Sequence, residues 1–393
     1  MRTVYLDNNA TTRVADEVLE EMIPCLRDVY GNPSSMHHKG AEAGEPLKRA
    51  RQRVADLLGA QADEILFTSC GTESDSTAIN AALAAHPDKK HIITTMVEHP
   101  AVLTYCESLE KKGYRITFVP VDRQGCLDLN ALYAAVSEET AVVSIMWANN
   151  ETGTIFPVEE IAKKVKSLGA AVFHTDAVQA VGKIDINMAD SAIDMLSLSG
   201  HKLHAPKGVG ALFIRKGTKF APFLMGGHQE KGRRAGTENH SSIVALGRAC
   251  ELAAEKMEEE NTRVKALRDR LEKGLLETIP NSFVNGDLEN RLPNTCSISF
   301  EYVEGEAILL MMNEFGICAS SGSACTSGSL EPSHVLRAMG IPFTAAHGTI
   351  RFSLSTDNTD EDIDTVLKCL PGIIHTLRQM SPFWTEAMAA KAE

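Results

Sequence analysis

The fold is organised around one short stretch of the sequence, Leu196-Ser197-Leu198-Ser199-Gly200-His201-Lys202. Its first half is an apolar run typical of a buried strand, and small and polar residues follow before a lysine. A lysine just beyond a buried strand can be partly desolvated, and desolvation favours the neutral amine that forms a Schiff base. Taken alone, the stretch could equally be a loop that ends in a surface lysine.

Three other segments favour a cofactor site. Residues 170–175 predict a buried parallel strand that ends in Asp176, where open α/β sheets place ligand-binding groups. Residues 64–69 predict another strand, which turns through Cys70-Gly71-Thr72-Glu73 into an Ala-rich helix whose N-terminus suits a phosphate. Far downstream, Cys325 lies in a Ser- and Gly-rich segment that we expect to be a mobile loop. A lysine, an acidic partner for a pyridinium nitrogen and a phosphate site are typical of pyridoxal phosphate (PLP) enzymes.

Composition limits the class of protein. The chain has 393 residues, of which 44% are hydrophobic and 23% charged, so we expect a soluble protein of two domains. A formal charge of −13 argues against a nucleic-acid-binding surface. The first residues have no apolar core of a signal peptide, and no apolar run approaches the ~20 residues of a membrane helix. Nine cysteines without a CxxC pair suggest reduced thiols, so we expect a cytoplasmic protein.

The hydrophobic pattern predicts alternating strands and helices over the first two thirds of the chain. Such alternation implies a mostly parallel sheet covered by helices, in which the short connection between the last two strands allows an antiparallel pair. The predicted strands are 64–69, 91–95, 114–119, 141–147, 170–175, 194–199 and 209–214, and the main intervening helices are 72–85, 100–112, 128–137 and 158–168.

The last third predicts a smaller α+β domain. A helical stretch covers about 238–279, and we interpret its densely charged middle, 255–270, as a solvated connection between domains. Strands at 294–300 and 349–355 and helices at 304–314 and 359–379 follow. We therefore assign 13–255 to a large PLP-binding domain, and 1–12 with 256–393 to the small domain.

From residue 5 to about 377 the chain resembles the cysteine desulfurases, which are class V aminotransferase-like PLP enzymes, and looks most like their nitrogen-fixation branch, NifS. The branch assignment depends on TSCGTESDS at 68–76 and GHKLHAPKG at 200–208. The other motifs that carry the resemblance are YLDNNATT at 5–12, GNPSS at 31–35, VEH at 97–99, ANNETG at 148–153, HTDAVQ at 174–179, RAGTEN at 234–239 and SGSAC at 321–325.

The resemblance implies a PLP-dependent transferase of fold type I, with a mostly parallel seven-stranded sheet in the large domain. Lys202 would form the Schiff base with PLP, Asp176 would keep the pyridine nitrogen protonated, and Gln179 and Asn150 would contact the ring. Asp176 could instead be a capping carboxylate, Gln179 a polar residue at a helix start, and Asn150 part of a plain turn. The residues assigned to the phosphate are Gly71, Thr72, Ser199 and His201, because helix N-terminal amides and small hydroxyls donate to anions.

Further residues depend mainly on the resemblance. His99 would stack on the ring and assist proton transfer, although a lone histidine at an element end is more often structural. Arg351 would clamp the substrate carboxylate, because a guanidinium fork fits a carboxylate; alone it could be an ion-pair residue. Thr237 would reach the phosphate of a second subunit, which implies a homodimer, or would simply be a helix N-cap. Asn8 and Asn32 are weaker candidates for the mouth of the substrate pocket.

The implied activity is that of a cysteine desulfurase. L-Cysteine would lose its sulfur to Cys325 as a persulfide and leave as L-alanine, and the persulfide would pass to a NifU-type iron–sulfur scaffold or another acceptor, where Cys325 could transiently share a cluster. We assign no structural metal. The alternatives are another class V enzyme, such as a selenocysteine lyase or an aminotransferase, and a catalytically silent subunit of a sulfur-transfer complex.

Overall fold

A central sheet of seven strands forms the core of the protein in a computed structural model that describes residues 2–169, 171–321 and 331–384. All seven strands of this sheet were expected from the sequence and are confirmed to within about two residues at most ends. They are β2 (Ile65–Thr68), β3 (His91–Thr95), β4 (Arg115–Val119), β5 (Thr140–Ser144), β6 (Val172–Asp176), β7 (Met195–Ser199) and β8 (Gly210–Ile214); the short strand β1 (Val4–Tyr5) lies elsewhere.

The strand order is β2-β8-β7-β6-β5-β3-β4. Strand β8 runs antiparallel to both of its neighbours, and the other neighbouring pairs are parallel. The expected antiparallel pair is thus confirmed. Because β6 and β7 are adjacent and parallel, with Asp176 opposite Ser197, the residues that follow them emerge at the same edge of the sheet.

Successive side chains of the strands enter two different apolar clusters. Phe67, Val143 and Leu196 belong to one cluster, whereas the residues just before them, Leu66, Val142 and Met195, belong to the cluster on the other face. Both faces are therefore buried, which explains why the strands have continuous apolar runs. The helices of this part are α1 (Asp16–Arg27), α2 (His38–Leu58), α3 (Gly71–Ala85), α4 (Pro100–Glu110), α5 (Leu129–Ala135), α6 (Val158–Leu168) and α7 (His240–Glu255).

A second, smaller sheet has its own apolar cluster. Its strands are β9 (Ser282–Val284), β10 (Thr295–Phe300) and β12 (Thr349–Ser353), with β10 in the centre and antiparallel to both neighbours. Strand β1 pairs with β11 (Ile317–Cys318), which links the start of the chain to this part. The helices of the last third of the chain are α8 (Met257–Glu259), α9 (Lys265–Thr278), α10 (Gly305–Asn313), α11 (His334–Ala338), α12 (Phe343–His347) and α13 (Asp360–Met380). The buried apolar residues of α9, α10 and α13 belong to the cluster of the small sheet, whereas those of α11 and α12 belong to a cluster of the large sheet. The domain limits given above stay a prediction.

The interpretation of 255–270 as a solvated connection is wrong in part. The long helix is interrupted after α7, and a π-helical turn at Glu260–Val264 precedes α9. Glu260, Val264 and Arg268 are buried, and Arg268 donates to the carbonyls of Leu292 and Thr295 at 3.1 Å. A dense run of charges predicted a solvated face, but main-chain carbonyls can satisfy a buried guanidinium.

Within the described part of the chain, no helix is both long and apolar enough to span a membrane.

Candidate active site

A cavity of about 520 Å³ opens where the parallel strands end, as expected for an open α/β sheet. The structure brings together most of the residues that the sequence assigned to cofactor and substrate. Those that line the cavity are Gly71, Thr72, His99, Asn150, Asp176, Gln179, Ser199, His201, Lys202 and Arg351.

Lys202 ends a short 3₁₀ turn directly after β7. Gly200 is closely packed in this turn, since an added Cβ would lie 2.9 Å from Val209 Cγ1. Lys202 Nζ donates to the carbonyls of Asn9 and Ala10 at 2.5 and 2.7 Å. Sequence reasoning missed these two N-terminal residues, because a main-chain acceptor leaves no signal in residue type.

Asp176 is the last residue of β6 and is only 5% exposed. Its Oδ1 accepts a hydrogen bond from the Val178 amide at 2.9 Å. Burial raises the pKa of the Asp176 carboxyl to about 6, although Val178 and Lys202 act in the opposite direction. Gln179 extends across the same floor and donates to the Asn9 carbonyl at 3.0 Å.

The N-terminus of α3 forms a cradle that fits a phosphate. A Cβ on Gly71, the first residue of α3, would lie 2.9 Å from Val178 Cγ2, so only glycine leaves this approach open. Ser199 Oγ is buried in the cavity wall without a hydrogen-bond partner among the described residues. These groups fit PLP. The helix amides and the unpartnered hydroxyl suit its phosphate, and a lysine and a buried aspartate suit its aldehyde and its ring nitrogen.

Two histidines face the cavity as neutral rings. His99 is the N-cap of α4, and its Nδ1 accepts from the Ala101 amide at 3.1 Å. Burial, and secondarily the nearby Lys202 ammonium, lower the pKa of His99 to about 4. Burial likewise lowers the pKa of His201 to about 4, and its Nδ1 lies 3.2 Å from Thr11 Oγ1. A neutral His99 with an acceptor Nδ1 carries its proton on Nε2.

Arg351, in β12, is 2% exposed and enters the cavity from the small sheet. Its Nη1 donates to the Asn150 carbonyl and its Nη2 to Asp7 Oδ1, both at 2.9 Å. Its buried Nε has no hydrogen-bond partner among the described residues. A fixed guanidinium with a donor left over is suited to bind a carboxylate.

Three of the predicted residues that the structure describes are not among those that line the cavity. Asn8 is buried and donates to the Ser353 carbonyl at 2.9 Å, and Asn32 is exposed and accepts from the Ser34 amide. These contacts hold local backbone rather than the pocket mouth. Thr237 is exposed, and it is not a helix N-cap because Asn239 occupies that position before α7. Cys325 lies outside the described residues.

Sequence reasoning missed the wall of the cavity formed around the start of α11. Ser333 caps α11 and also donates to Glu151 Oε2 at 2.5 Å, and His334 Nε2 lies 2.9 Å from the Glu98 carbonyl. Burial raises the pKa of the Glu151 carboxyl. The pairing of Glu151 with a residue 182 positions away has no local sequence signal.

Within the described ranges, no group of three or more His, Cys, Asp or Glu side chains is arranged to hold a metal ion.

The fold and the cavity define a class V aminotransferase-type PLP enzyme, and the comparisons with known proteins agree. The class-V aminotransferase family model matches residues 4–366. The chain is 61% identical over 386 residues to the cysteine desulfurase NifS of Azotobacter vinelandii, covering 98% of this chain and 96% of that protein. The chain therefore belongs to the cysteine desulfurases of the class-V aminotransferase family.

Two solved structures show the same fold. A NifS-like protein superposes with a TM-score of 0.90 at 42% identity, covering 96% of this chain and all of that one. SspA in complex with cysteine superposes with a TM-score of 0.79 at 35% identity, covering 89% of this chain and 98% of that one. PLP is the cofactor of this family, and the cavity described above fits it.

Proposed function

We propose that this cysteine desulfurase takes sulfur from L-cysteine, releases L-alanine and carries the sulfur as a persulfide on Cys325 for iron–sulfur cluster assembly. The observation that carries the proposal is the convergence of Lys202, Asp176 and Arg351 on one cavity. Together they supply a covalent anchor, an acidic ring partner and a carboxylate clamp. The cysteine bound in the related SspA structure supports the assignment of L-cysteine as the substrate.

Arg351 orients the substrate. Its Nη1 and Nη2 are each held by one hydrogen bond, to Asn150 and Asp7, which leaves three of the five guanidinium N–H donors, that of Nε among them, for the substrate carboxylate. Arg351 and Lys202 line the same cavity, so a carboxylate held by Arg351 would leave the amino group and the Cα hydrogen of the substrate free to meet Lys202. Positioning of this kind turns a bimolecular encounter into an effectively intramolecular step.

Lys202 and His99 handle the proton of the substrate Cα. When bound, PLP supplies an electron-withdrawing ring, and Asp176 sits where a carboxylate would keep the ring nitrogen protonated. The Lys202 amine is the base that takes the Cα proton. His99, whose imidazole is neutral, would stack on the cofactor ring and would donate through Nε2 rather than carry a charge of its own.

The sulfur step then needs a nucleophilic thiol. The Cys325 thiolate attacks the substrate sulfur, a sulfur–sulfur bond forms, and the carbon–sulfur bond breaks with its electron pair left on the carbon skeleton. Protonation of that carbon gives L-alanine, so that L-cysteine and one thiol become L-alanine and one persulfide. No other oxidant or reductant is consumed.

Further partners follow from the same resemblance. A NifU-type scaffold in the cytoplasm is the proposed acceptor, which places the enzyme in the supply of clusters for nitrogenase, and Cys325 could transiently ligate a cluster there. The NifS name of the relative from Azotobacter vinelandii supports this branch.

We also propose a homodimer in which Thr237 reaches the partner's phosphate site. Thr237 is exposed and is not among the residues that line the cavity of its own chain. The loop before it is held firmly: Glu230, at a φ of 48°, is buried and paired with Arg51, and Arg234 pairs with Glu73 in α3 at 2.8 Å. A rigid loop that ends in an exposed hydroxyl is suited to donate to a second subunit.

Incubation of the purified enzyme with L-cysteine and a thiol reductant tests the proposal. Alanine and sulfide should appear in equal amounts, and Lys202→Ala should produce neither. An aminotransferase would instead need an oxo acid and would release no sulfide, a selenocysteine lyase would act on L-selenocysteine and spare L-cysteine, and a silent subunit would act on none of them.

A further inference from the structure

A second buried carboxyl, Asp75 in α3, lines the cavity beside Asp176. Asp75 is 1% exposed, and its Oδ1 has no hydrogen-bond partner among the described residues. Asp75 belongs to the motif at 68–76, but the assignments above give it no role and the mechanism does not use it. A buried acceptor without a partner is costly, so it needs a physical explanation.

His174 does not supply a positive charge for Asp75. Its Nε2 lies 3.6 Å from Asp75 Oδ1, beyond hydrogen-bond length, and its two nitrogens bond to the hydroxyls of Ser144 at 2.8 Å and Ser197 at 2.9 Å. Because burial lowers the pKa of His174 to about 3, the ring is neutral at physiological pH.

The other groups that face Asp75 also disfavour its ionisation. Asp176 on β6, Glu98 before α4 and Cys70 before α3 all raise the pKa of Asp75, and desolvation raises it most. The Ser197 hydroxyl acts in the opposite direction and lowers it. Two carboxyls buried in one wall without a cation between them cannot both ionise cheaply, and they titrate as a pair.

We propose that Asp75 is a positioning residue that stays a neutral carboxylic acid, so that the Asp75–Asp176 pair presents a single negative charge, on Asp176, to the ring nitrogen of PLP. Asp176 is the member that ionises because it accepts the Val178 amide and faces Lys202. The inference rests on the same cofactor site as the proposed function. It concerns the charge of the Asp75–Asp176 pair, and not the substrate or the sulfur acceptor.

The matched variant is Asp75→Asn, which keeps the shape and removes the acidic proton. In the PLP-loaded enzyme, the infrared absorbance of protonated carboxyls should fall relative to wild type by the contribution of one group, while that of Glu98 remains. The affinity for PLP should change by less than about threefold, and the pH midpoint of the cofactor absorbance by less than about half a unit, because no charge has been removed. Asp176→Asn, which removes the charge, should weaken PLP binding at least about tenfold.

If Asp75 were ionised, Asp75→Asn would leave the protonated-carboxyl band unchanged, shift the absorbance midpoint by about one unit or more and weaken PLP binding. Any of these results would overturn the inference. Asp75→Ser, neutral and smaller, takes the place of the asparagine variant if that variant does not fold. None of these measurements uses L-cysteine, so a failure here is separate from a failure of the proposed activity.

Discussion

Main-chain groups hold most of the reactive side chains of the cavity. Lys202 is held by two carbonyls, Arg351 in part by the Asn150 carbonyl, and the ring of His99 by the Ala101 amide. The backbone that carries these groups comes from strand ends and helix starts of a packed scaffold. Single substitutions at these side chains should therefore remove chemistry while leaving the geometry of their neighbours intact.

Arg351→Lys should lower kcat/KM for L-cysteine about 10- to 100-fold, mainly through a higher KM, because an ammonium group cannot keep both fixing contacts and still bind the carboxylate. The absorbance of bound PLP should not change. Steady-state kinetics with a cofactor spectrum on the same sample measures both effects. Arg115→Lys is the control, since Arg115 begins β4 at the opposite edge of the sheet and is 53% exposed. An unchanged KM in Arg351→Lys would refute the carboxylate clamp.

Glu98 makes a pH-dependent contribution to stability. Burial raises the pKa of its carboxyl to about 8, against hydrogen bonds from the Met146 amide and Thr95 that act to lower it. A carboxyl whose pKa is higher in the folded than in the unfolded protein stabilises the fold at pH values below its unfolded-state pKa. That stabilisation is lost as the pH rises through its folded-state pKa. Between pH 6 and 8, wild type should thus lose about 1 kcal/mol per pH unit through Glu98.

Glu98→Gln should remove this loss, so that its stability falls less steeply with pH than that of wild type. Urea unfolding of both proteins at pH 6, 7 and 8 gives the comparison. Parallel pH profiles would show that Glu98 does not hold a proton in the folded protein.

At the scale of elements, the phosphate cradle depends on how closely α3 approaches the loop after β6. Gly71 makes that approach possible, since its added Cβ would lie 2.9 Å from Val178 Cγ2 and 3.5 Å from Ser199 Cβ. Gly71 is therefore needed to leave room for the ligand, and not to form the helix.

Gly71→Ala should cost about 1–3 kcal/mol, expressed mostly as weaker PLP binding, because the helix start must move away from Val178. Gly44→Ala is the matched control: it lies inside α2, an added Cβ would meet nothing within 4 Å, and it should stabilise the fold by about 0.5–1 kcal/mol. PLP titration and thermal unfolding of both variants separate the effects. Equal PLP affinity in the two variants would contradict the cradle.

The elements that the sequence predicted well are those whose signal is local. Continuous apolar runs such as the one that begins the strand Ile65–Thr68 identify strands buried on both faces, and the motifs carry Lys202 and Asp176 at fixed distances from strand ends. The solvated connection at 255–270 was predicted wrongly, because whether Arg268 is buried depends on carbonyls of Leu292 and Thr295 that come from another element. The Ser333–Glu151 contact was missed for the same reason.

At the scale of the whole molecule, the proposed dimer joins two sites that each need a residue from the other chain. Thr237 follows the loop that Arg51 and Glu73 hold in place, and it is not among the residues lining its own cavity. The sequence could supply Thr237 as a candidate through its motif, but a single chain does not contain the surface that it would meet.

Mixed dimers of Lys202→Ala and Thr237→Ala chains should regain activity. One site then carries both lesions and the other carries neither, so each mixed dimer should show about half the activity of a wild-type dimer, because the two sites are equivalent by symmetry. Lys202→Ala alone should be inactive and Thr237→Ala alone should bind PLP weakly. No recovery after verified subunit exchange, or an active monomer in sedimentation, would contradict the shared site.

The most direct test of the proposed chemistry is a single turnover of PLP-loaded enzyme with sulfur-labelled L-cysteine in the absence of reductant. Wild type should release one alanine per active site and retain one labelled sulfur on the peptide that contains Cys325. Cys325→Ser should still bind PLP and still change its absorbance when L-cysteine is added, but should form almost no persulfide, because a hydroxyl is far less ionised at neutral pH and cannot accept sulfur. Label on Cys70 or Cys318 instead, or near-normal turnover by Cys325→Ser, would contradict the assignment of Cys325 as the sulfur acceptor.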